Sequence, residues 1–389
     1  MRIVFTGGGT AGHVNPAIAI ADAVRRRYPD SEIFFVGTPK GMENKLVADA
    51  GYPIWHIDVG GLERRVSLKN IGVIIKTARS LSAARGLLKE LRPDAVIGTG
   101  GYVCYPTVRE AAKMGVFTAL HESNAVAGLT VRMLSDRVDK VYINFDDAKN
   151  ELKHPERAVT VGNPVREEVT RLERNSARNL LGIGAPIPGR EAEFAGEGTP
   201  LGSYRHVIVS FGGSLGAETV NREALKLMNG YCRNHPEALM IHACGKSGYP
   251  EFMRRANELG VTKLKNVIIN EFIRKLPIWL SASDIVICRS GANTVSELAA
   301  IGRASVMIPS PNVTGDHQYR NAKVMGDIGG AFVVRENSEE IEKIEELVAT
   351  VLGDRRLREN MEICASKLAP KENAAEVIAA DIAEAVLRR

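Results

Sequence analysis

Gly7-Gly8-Gly9-Thr10-Ala11-Gly12-His13 follows the β-prone run Arg2-Ile3-Val4-Phe5 and leads into a helical pattern from Pro16 to Arg27. A β-prone run, a glycine turn and an amphipathic helix form the opening βα unit of a doubly wound parallel sheet. Such a turn sets backbone N–H groups at a helix N-terminus, where about half a positive charge gathers, and its glycines let a phosphate approach without meeting a Cβ. An anionic, phosphorylated ligand is expected.

The spacing Gly7-x-Gly9-x-x-Gly12 also fits a dinucleotide fingerprint, which calls for an acid at the end of the second strand to hold the ribose. Here that strand, Glu32 to Val36, runs into Gly37-Thr38-Pro39, and the acids Asp30 and Glu32 stand at its start. A nicotinamide or flavin is therefore disfavoured, and no cofactor is expected. His13 adds a titratable group where the turn meets the helix. Two readings of it stand: it caps and packs the turn, or it does chemistry on a bound ligand.

With 389 residues the chain can hold two domains, each with its own core. Its 44% hydrophobic and 25% charged residues are those of a globular protein. The net charge of +5 is spread among acids with few aromatics, which argues against a nucleic-acid partner. Cys104, Cys232, Cys244, Cys288 and Cys364 lack paired spacing, so no disulfide framework and no zinc site are expected, and a reducing compartment fits. Met1-Arg2 enters the first strand directly and no apolar run is long enough to span a bilayer. The expectation is a cytoplasmic protein that can lie on a membrane without crossing it.

Strand candidates Ile3–Phe5, Ile33–Val36, Ala95–Ile97, Thr118–Leu120, Lys140–Ile143 and Val159–Val161 alternate with helical patterns. The character changes at Gly162-Asn163-Pro164-Val165-Arg166, and Gly184 to Tyr204, rich in Gly, Pro and charge, reads as a surface insertion. Then the rhythm restarts: strand His206–Phe211, the glycine turn Gly212-Gly213-Ser214-Leu215-Gly216, helix Ala217 to Met228, and strands Leu239–Ala243, Val267–Ile269, Ile285–Cys288 and Ser305–Ile308. Two halves with the same opening imply an α/β protein of two Rossmann-like domains facing a ligand cleft. The expected boundaries are 1–163, 164–370, and a C-terminal helix, 371–389, that can pack back on the N-terminal domain.

In the second half, Ile285–Cys288 ends at Arg289-Ser290-Gly291, so the helix Ala292-Asn293-Thr294-Val295-Ser296-Glu297 would begin as a second phosphate cradle. Glu297 either accepts hydrogen bonds from two ribose hydroxyls or merely complements the helix dipole. The polar loop around Asp316, His317, Gln318 and Asn321 suits sugar hydroxyls, or is simply solvated. Gly98-Thr99-Gly100-Gly101-Tyr102 and His121-Glu122-Ser123-Asn124 follow strands, on the side where open α/β sheets bind ligands. No second histidine stands at HExxH spacing, so a metal is not expected at His121-Glu122. Between Arg64 and Arg85 the apolar Ile71, Ile75, Ala78 and Leu81 share a helical face flanked by basic residues; it fits an anionic lipid surface, or an ordinary helix packed on the sheet.

Together the blocks GGGTAGHVNP, GTPKGMENKLV, GTGGYVCYP, HESN with AGLT, GNPVR, FGGSLGA, RSGANTVSELAAIG and DHQYRNA resemble, in that order and over nearly the whole chain, the MurG family of glycosyltransferases. That family adds N-acetylglucosamine to the lipid-linked muramoyl-peptide precursor of peptidoglycan and has the glycosyltransferase type B fold. The resemblance implies that Thr10, Ala11 and Gly12 line the glycine loop near the donor and that Asn124 contacts the donor sugar. It places Arg166 and Ser214 at the nucleotide diphosphate, Ile273 at the uracil, Ala292, Asn293, Thr294, Val295, Ser296 and Glu297 at diphosphate and ribose, and Gln318 at the sugar. It also implies a peripheral patch, Arg64, Arg65, Lys69, Ile71, Ile75 and Arg79, on the cytoplasmic face of an anionic membrane, among other cell-wall synthesis proteins. Ala11 stands where the family often has glycine, Ser123 where it often has glutamine, and the Gly184–Tyr204 segment is longer than usual.

The implied reaction is an inverting displacement. The C4 hydroxyl of undecaprenyl-diphosphate-N-acetylmuramoyl-pentapeptide attacks the anomeric carbon of UDP-N-acetylglucosamine, and UDP leaves. His13 is the expected base, with Glu122 in reserve. Helix N-termini after Gly213 and Gly291 would carry the diphosphate charge without a metal.

Overall fold

The computed structural model describes residues 1–59, 70–165, 172–183, 204–213 and 216–389, and over 70–77 the helical backbone alone. The chain divides into two units, Met1–Val165 with Pro370–Arg389, and Arg166–Ala369.

The first unit is built on a parallel sheet whose described strands are β1 (Arg2–Gly7), β2 (Glu32–Gly37), β3 (Ile54–His56), β4 (Ala95–Gly100), β5 (Phe117–Glu122), β6 (Lys140–Ile143) and β7 (Ala158–Thr160), in the order β3-β2-β1-β4-β5-β6-β7. Ile3, Val4 and Phe5 are all fully buried, because helices cover both faces of a parallel sheet. One core joins Phe5, Ile20, Val24 and Ile97 to Ile378 and Ile382 of the last helix, Ala374–Leu387. The other joins Val4, Leu88, Val96, Val108 and Leu120.

The last helix is attached by specific polar contacts as well as by its apolar stripe. Asn373 caps it, accepting from Ala375 N at 2.9 Å. Asp381 accepts from Lys140 Nζ at 2.5 Å and from the Tyr142 hydroxyl at 2.6 Å. Burial and that carboxylate raise the Tyr142 pKa, so the phenol stays a donor.

The second unit carries β8 (His206–Phe211), β9 (Ala238–Ala243), β10 (Val267–Asn270), β11 (Ile285–Cys288), β12 (Ser305–Met307) and β13 (Ala331–Val333), parallel and in the order β10-β9-β8-β11-β12-β13. Its core includes Ile208, Val220, Met240, Ile285, Ile287, Val306 and Val348. Buried Asp284 accepts from Val207 N at 2.8 Å and from Arg178 Nη2 at 2.5 Å, which ties the helix Arg174–Leu180 to the sheet with its charge paired.

The interior strands follow the sequence reading, and β3 and β13 are additions to it. Each is a three-residue edge strand with mixed burial, too short to show a period. In both sheets the strand order reverses direction beside the first strand of the unit, between β1 and β4 and between β8 and β11. At such a switch point the loops leaving the two strands diverge and open a crevice at the sheet's C-terminal edge.

Candidate active site

In the first unit that edge is made by the turns after β1 and β4. The two turns touch backbone to backbone. Gly8 N donates to Gly100 O at 3.3 Å, and a Cβ on Gly101 would lie 2.3 Å from Gly8 O. Thr99 Oγ1 donates to His13 O at 2.7 Å, locking the β4 turn to the helix Ala11–Arg27. The His13 ring lies beside Gly100, where a Cβ would come within 2.6 Å of Cδ2 and 2.9 Å of Nε2, and the φ of +111° there also favours glycine.

His13 Nδ1 is 2.9 Å from Gly8 O. A carbonyl only accepts, so Nδ1 carries the proton, and the neutral ring keeps its lone pair on Nε2. Half-buried His13 is thus held through Nδ1, with exposed Thr10 and half-buried Ala11 and Gly12 leading into it.

The HESN block leaves β5 in the same unit. Glu122 is buried and its two oxygens accept from Asn124 N at 2.9 Å, Asn124 Nδ2 at 3.0 Å and Gly128 N at 2.7 Å. Those three bonds shape the loop and orient the half-buried Asn124. His121 donates from Nε2 to Gly162 O at 3.2 Å, and Ser123 Oγ donates to Asn163 Oδ1 at 2.9 Å, so this block also holds the Gly162-Asn163 turn.

In the second unit the corresponding edge is formed by the turns after β8 and β11. Gly213, at φ +90°, and Gly291 both face open space where a side chain would otherwise stand. Gly291 starts the helix Ala292–Ile301 with no capping side chain and no acid in its first turn, which suits an anion at the helix end. Ala292, Val295 and Ser296 are buried, with Val295 N bonded to Gly291 O at 3.0 Å, whereas Asn293, Thr294 and Glu297 are half-buried. Asn293 and Glu297 share one face at i, i+4 spacing. Burial, with the Glu297 charge, pushes the Cys288 thiol up to about 12.

Gln318 belongs to the same edge. Its Oε1 accepts from Ser310 N at 2.9 Å and its main-chain oxygen from Ser290 Oγ at 2.8 Å, so its NH₂ is the end available to an acceptor. Before it, Gly315 at φ +66° and Asp316 at φ +52° are both left-handed; the second is unusual for a residue with a Cβ. Arg335 secures this turn, 3.3 Å from Asp316 Oδ2 and stacked over the Tyr319 ring. Arg289 is engaged elsewhere, bonding Ile308 O at 3.0 Å and Glu336 at 2.7 Å. Ile273 is half-buried beyond β10, next to exposed Phe272.

The first unit thus places Thr10, Ala11, Gly12 and His13 on the turn after β1 and Asn124 and Glu122 on the loop after β5, at the same edge of its sheet, and the second brings the start of the helix Ala292–Ile301 together with Gln318. Arg166 and Ser214 lie outside the described residues, as do Arg64, Arg65 and Lys69. Ile71 and Ile75 fall in the backbone of the helix Asn70–Leu91, and Arg79 is exposed on it. Among the described residues no helix is long and apolar enough to cross a membrane, and no group of three or more His, Cys, Asp or Glu is placed to hold a metal.

Sequence reasoning passed over Glu43. It is fully buried, and it accepts from Gly9 N at 3.2 Å, Thr38 N at 2.9 Å and Thr38 Oγ1 at 2.7 Å. Burial pushes its carboxyl up, and the Thr38 and Gly9 donors more than offset this, holding its pKa below the usual value. The available signal was an acid closely preceded by Gly37, Thr38 and Gly41.

Each unit also buries a neutral histidine under its site. Burial drops His121 to about 4, partly opposed by Gly162, and His242 to about 3, partly opposed by Ser210. The unfolded imidazole titrates near 6.5. As pH falls, the unfolded chain binds protons first, so stability is full above about pH 6.5. It then falls by about 1.4 kcal/mol per pH unit per histidine, down to each folded pKa. Urea unfolding between about pH 7.5 and about pH 5 should show this slope; a flat profile would contradict it.

Residues 3–143 match the glycosyltransferase family 28 N-terminal domain and residues 207–380 the glycosyltransferase family 28 C-terminal domain. The chain is 37% identical over 336 residues, 86% of its length and 85% of the relative's, to the UDP-N-acetylglucosamine–N-acetylmuramyl-(pentapeptide) pyrophosphoryl-undecaprenol N-acetylglucosamine transferase of Desulforudis audaxviator. It is similar to the crystal structure of Acinetobacter baumannii MurG, with a TM-score of 0.74 and 28% identity, covering 98% of this chain and 99% of that one. A UDP-N-acetylglucosamine 2-epimerase from Listeria monocytogenes, described as putative, shares the fold at a TM-score of 0.69 and 13% identity, covering 100% of this chain and 97% of that one.

Proposed function

The chain belongs to glycosyltransferase family 28, among the N-acetylglucosamine transferases that act on N-acetylmuramyl-(pentapeptide) pyrophosphoryl-undecaprenol, and from that premise we propose how its residues perform the transfer. It is a hexosyltransferase that takes N-acetylglucosamine from UDP-N-acetylglucosamine and places it on the lipid-linked muramoyl-pentapeptide, in peptidoglycan synthesis. The reading of the site rests chiefly on one observation, His13 Nδ1 at 2.9 Å from Gly8 O, a contact that calls for the proton on Nδ1 and leaves Nε2 to take one. The C4 hydroxyl of the acceptor loses its proton to Nε2 as its oxygen attacks the anomeric carbon from the face opposite UDP, which gives the β-1,4 linkage.

The leaving diphosphate gains charge as the bond breaks. The N-terminus of the helix Ala292–Ile301 and the open turn at Gly213 supply fixed dipoles for it, with Ser214 and Arg166 assigned to the same group. Glu297 holds the ribose hydroxyls, Ile273 meets the uracil, and Gln318 and Asn124 read the sugar. Glu122 shapes the Asn124 loop; with three donors on its oxygens it is the poorer candidate base. The basic stretch Arg64, Arg65, Lys69 and Arg79 with Ile71 and Ile75 rests on an anionic membrane at its cytoplasmic face, where the acceptor's lipid is anchored.

The test is UDP release from UDP-N-acetylglucosamine with and without the lipid-linked acceptor, following the sugar into the lipid phase. Acceptor-dependent release with the sugar in lipid is expected. Epimerised donor, or binding without turnover, would overturn the reading.

A further inference from the structure

We propose that Glu43 is a positioning residue that acts on His13 through the single peptide group between Gly8 and Gly9. The proposal rests on the reading of His13 as the base. That peptide group has two polar ends, and both are engaged. Its N–H, on Gly9, donates to Glu43 Oε2 at 3.2 Å, and its carbonyl, on Gly8, accepts from His13 Nδ1 at 2.9 Å. An anionic acceptor on the N–H shifts electron density through the amide onto the oxygen, and chains of hydrogen bonds polarise one another in this way.

The Gly8 oxygen thereby becomes a stronger acceptor for Nδ1–H. This fixes the tautomer that leaves Nε2 bare, and it stabilises the imidazolium formed when Nε2 takes the hydroxyl proton. A carboxylate bonded directly to a catalytic histidine does the same two things. Here one amide stands between them.

The simpler account is that Glu43 only opens the short helix Glu43–Asp49 and closes its own turn on Thr38. Two observations go further than that account. One oxygen crosses to a loop 34 residues away in sequence. In addition, the chain gives up side chains around this acid, since a Cβ on Gly8, Gly37 or Gly41 would come within 2.8, 2.7 and 2.1 Å of Glu43 atoms. A carboxylate kept ionised under such close cover, by Thr38 and Gly9 donors, serves the glycine loop as well as its own turn.

Glu43→Gln keeps the shape and removes the charge. Its kcat should fall about 10-fold, in the range for groups that orient an active residue, while KM for UDP-N-acetylglucosamine stays within about twofold. In a His13→Ala background the same change should lower kcat no further, because its effect passes through the imidazole. A full additive loss, or a loss confined to KM, would overturn the coupling. Nitrogen-15 NMR of labelled histidine gives a second reading that needs no variant to fold. The wild-type His13 signal should be that of the Nδ1–H tautomer, and Nε2–H in the wild type would overturn the proposal. Should His13→Ala turn over normally, the base reading fails, while the NMR still reads whether Nδ1–H is held on Gly8 O, and a change of that signal in Glu43→Gln reads the contact through the peptide.

Discussion

His13→Ala is expected to lower kcat by about 10²–10⁴-fold, the usual contribution of a positioned general base, with KM for UDP-N-acetylglucosamine changed by less than about threefold. The separation follows from where the residue sits. His13 touches Gly8 O and Gly100 in the first unit, and the helix and turn assigned to the nucleotide are in the second. Alanine alone would not distinguish a lost base from a collapsed turn, because it also removes the bond to Gly8 O. His13→Asn separates them. Its amide nitrogen reaches roughly where Nδ1 stands and can donate to the same carbonyl, but nothing occupies the place of Nε2. If the imidazole is the base, both variants lose turnover alike, as steady-state kinetics with the lipid-linked acceptor would show. Activity restored in His13→Asn would make the histidine a structural cap, and full activity in both would remove it from the chemistry.

How much of this was legible in the sequence depended on which physical signal each part leaves. Strands such as Ile3–Phe5 and Ile285–Cys288 are apolar on consecutive positions because both faces are covered, so they stand out. The edge strands Ile54–His56 and Ala331–Val333 carry three residues each and leave almost none. Glycine turns were easy to find, yet the role of each glycine was not. Gly9 and Gly213 leave open space, whereas Gly100 and Gly101 are needed because His13 and Gly8 come too close for a side chain.

Acids were the hardest residues to read, because their type says nothing about their partners. Glu122 stood beside a histidine at a strand end and was considered for acid–base work; three N–H groups converge on it. Glu43 sat in a stretch resembling an exposed helix start, Lys40-Gly41-Met42-Glu43-Asn44, and is fully buried under the glycine loop. The attachment of the last helix is similar. Its alanine-rich stripe fits many surfaces, and Asp381, meeting both Lys140 and Tyr142, gives it a particular one.

Glu297→Ala should weaken UDP binding by about 10²-fold, or about 3 kcal/mol, the worth of two hydrogen bonds from ribose hydroxyls to a carboxylate. The alternative, that Glu297 only complements the helix dipole, meets a difficulty of position. The helix begins at Ala292, so Glu297 is its sixth residue, and the dipole's influence fades within the first turn. A half-buried carboxylate in the second turn, on the same face as Asn293, has more to gain from a ligand than from the helix that carries it. Calorimetry with UDP and 2′-deoxy-UDP decides between these accounts. Wild-type protein should bind the deoxy nucleotide more weakly than UDP, and Glu297→Ala should bind the two almost equally, because the group that distinguished them is gone. Wild-type affinity for UDP in Glu297→Ala, or a deoxy penalty that persists there, would leave the ribose to some other residue.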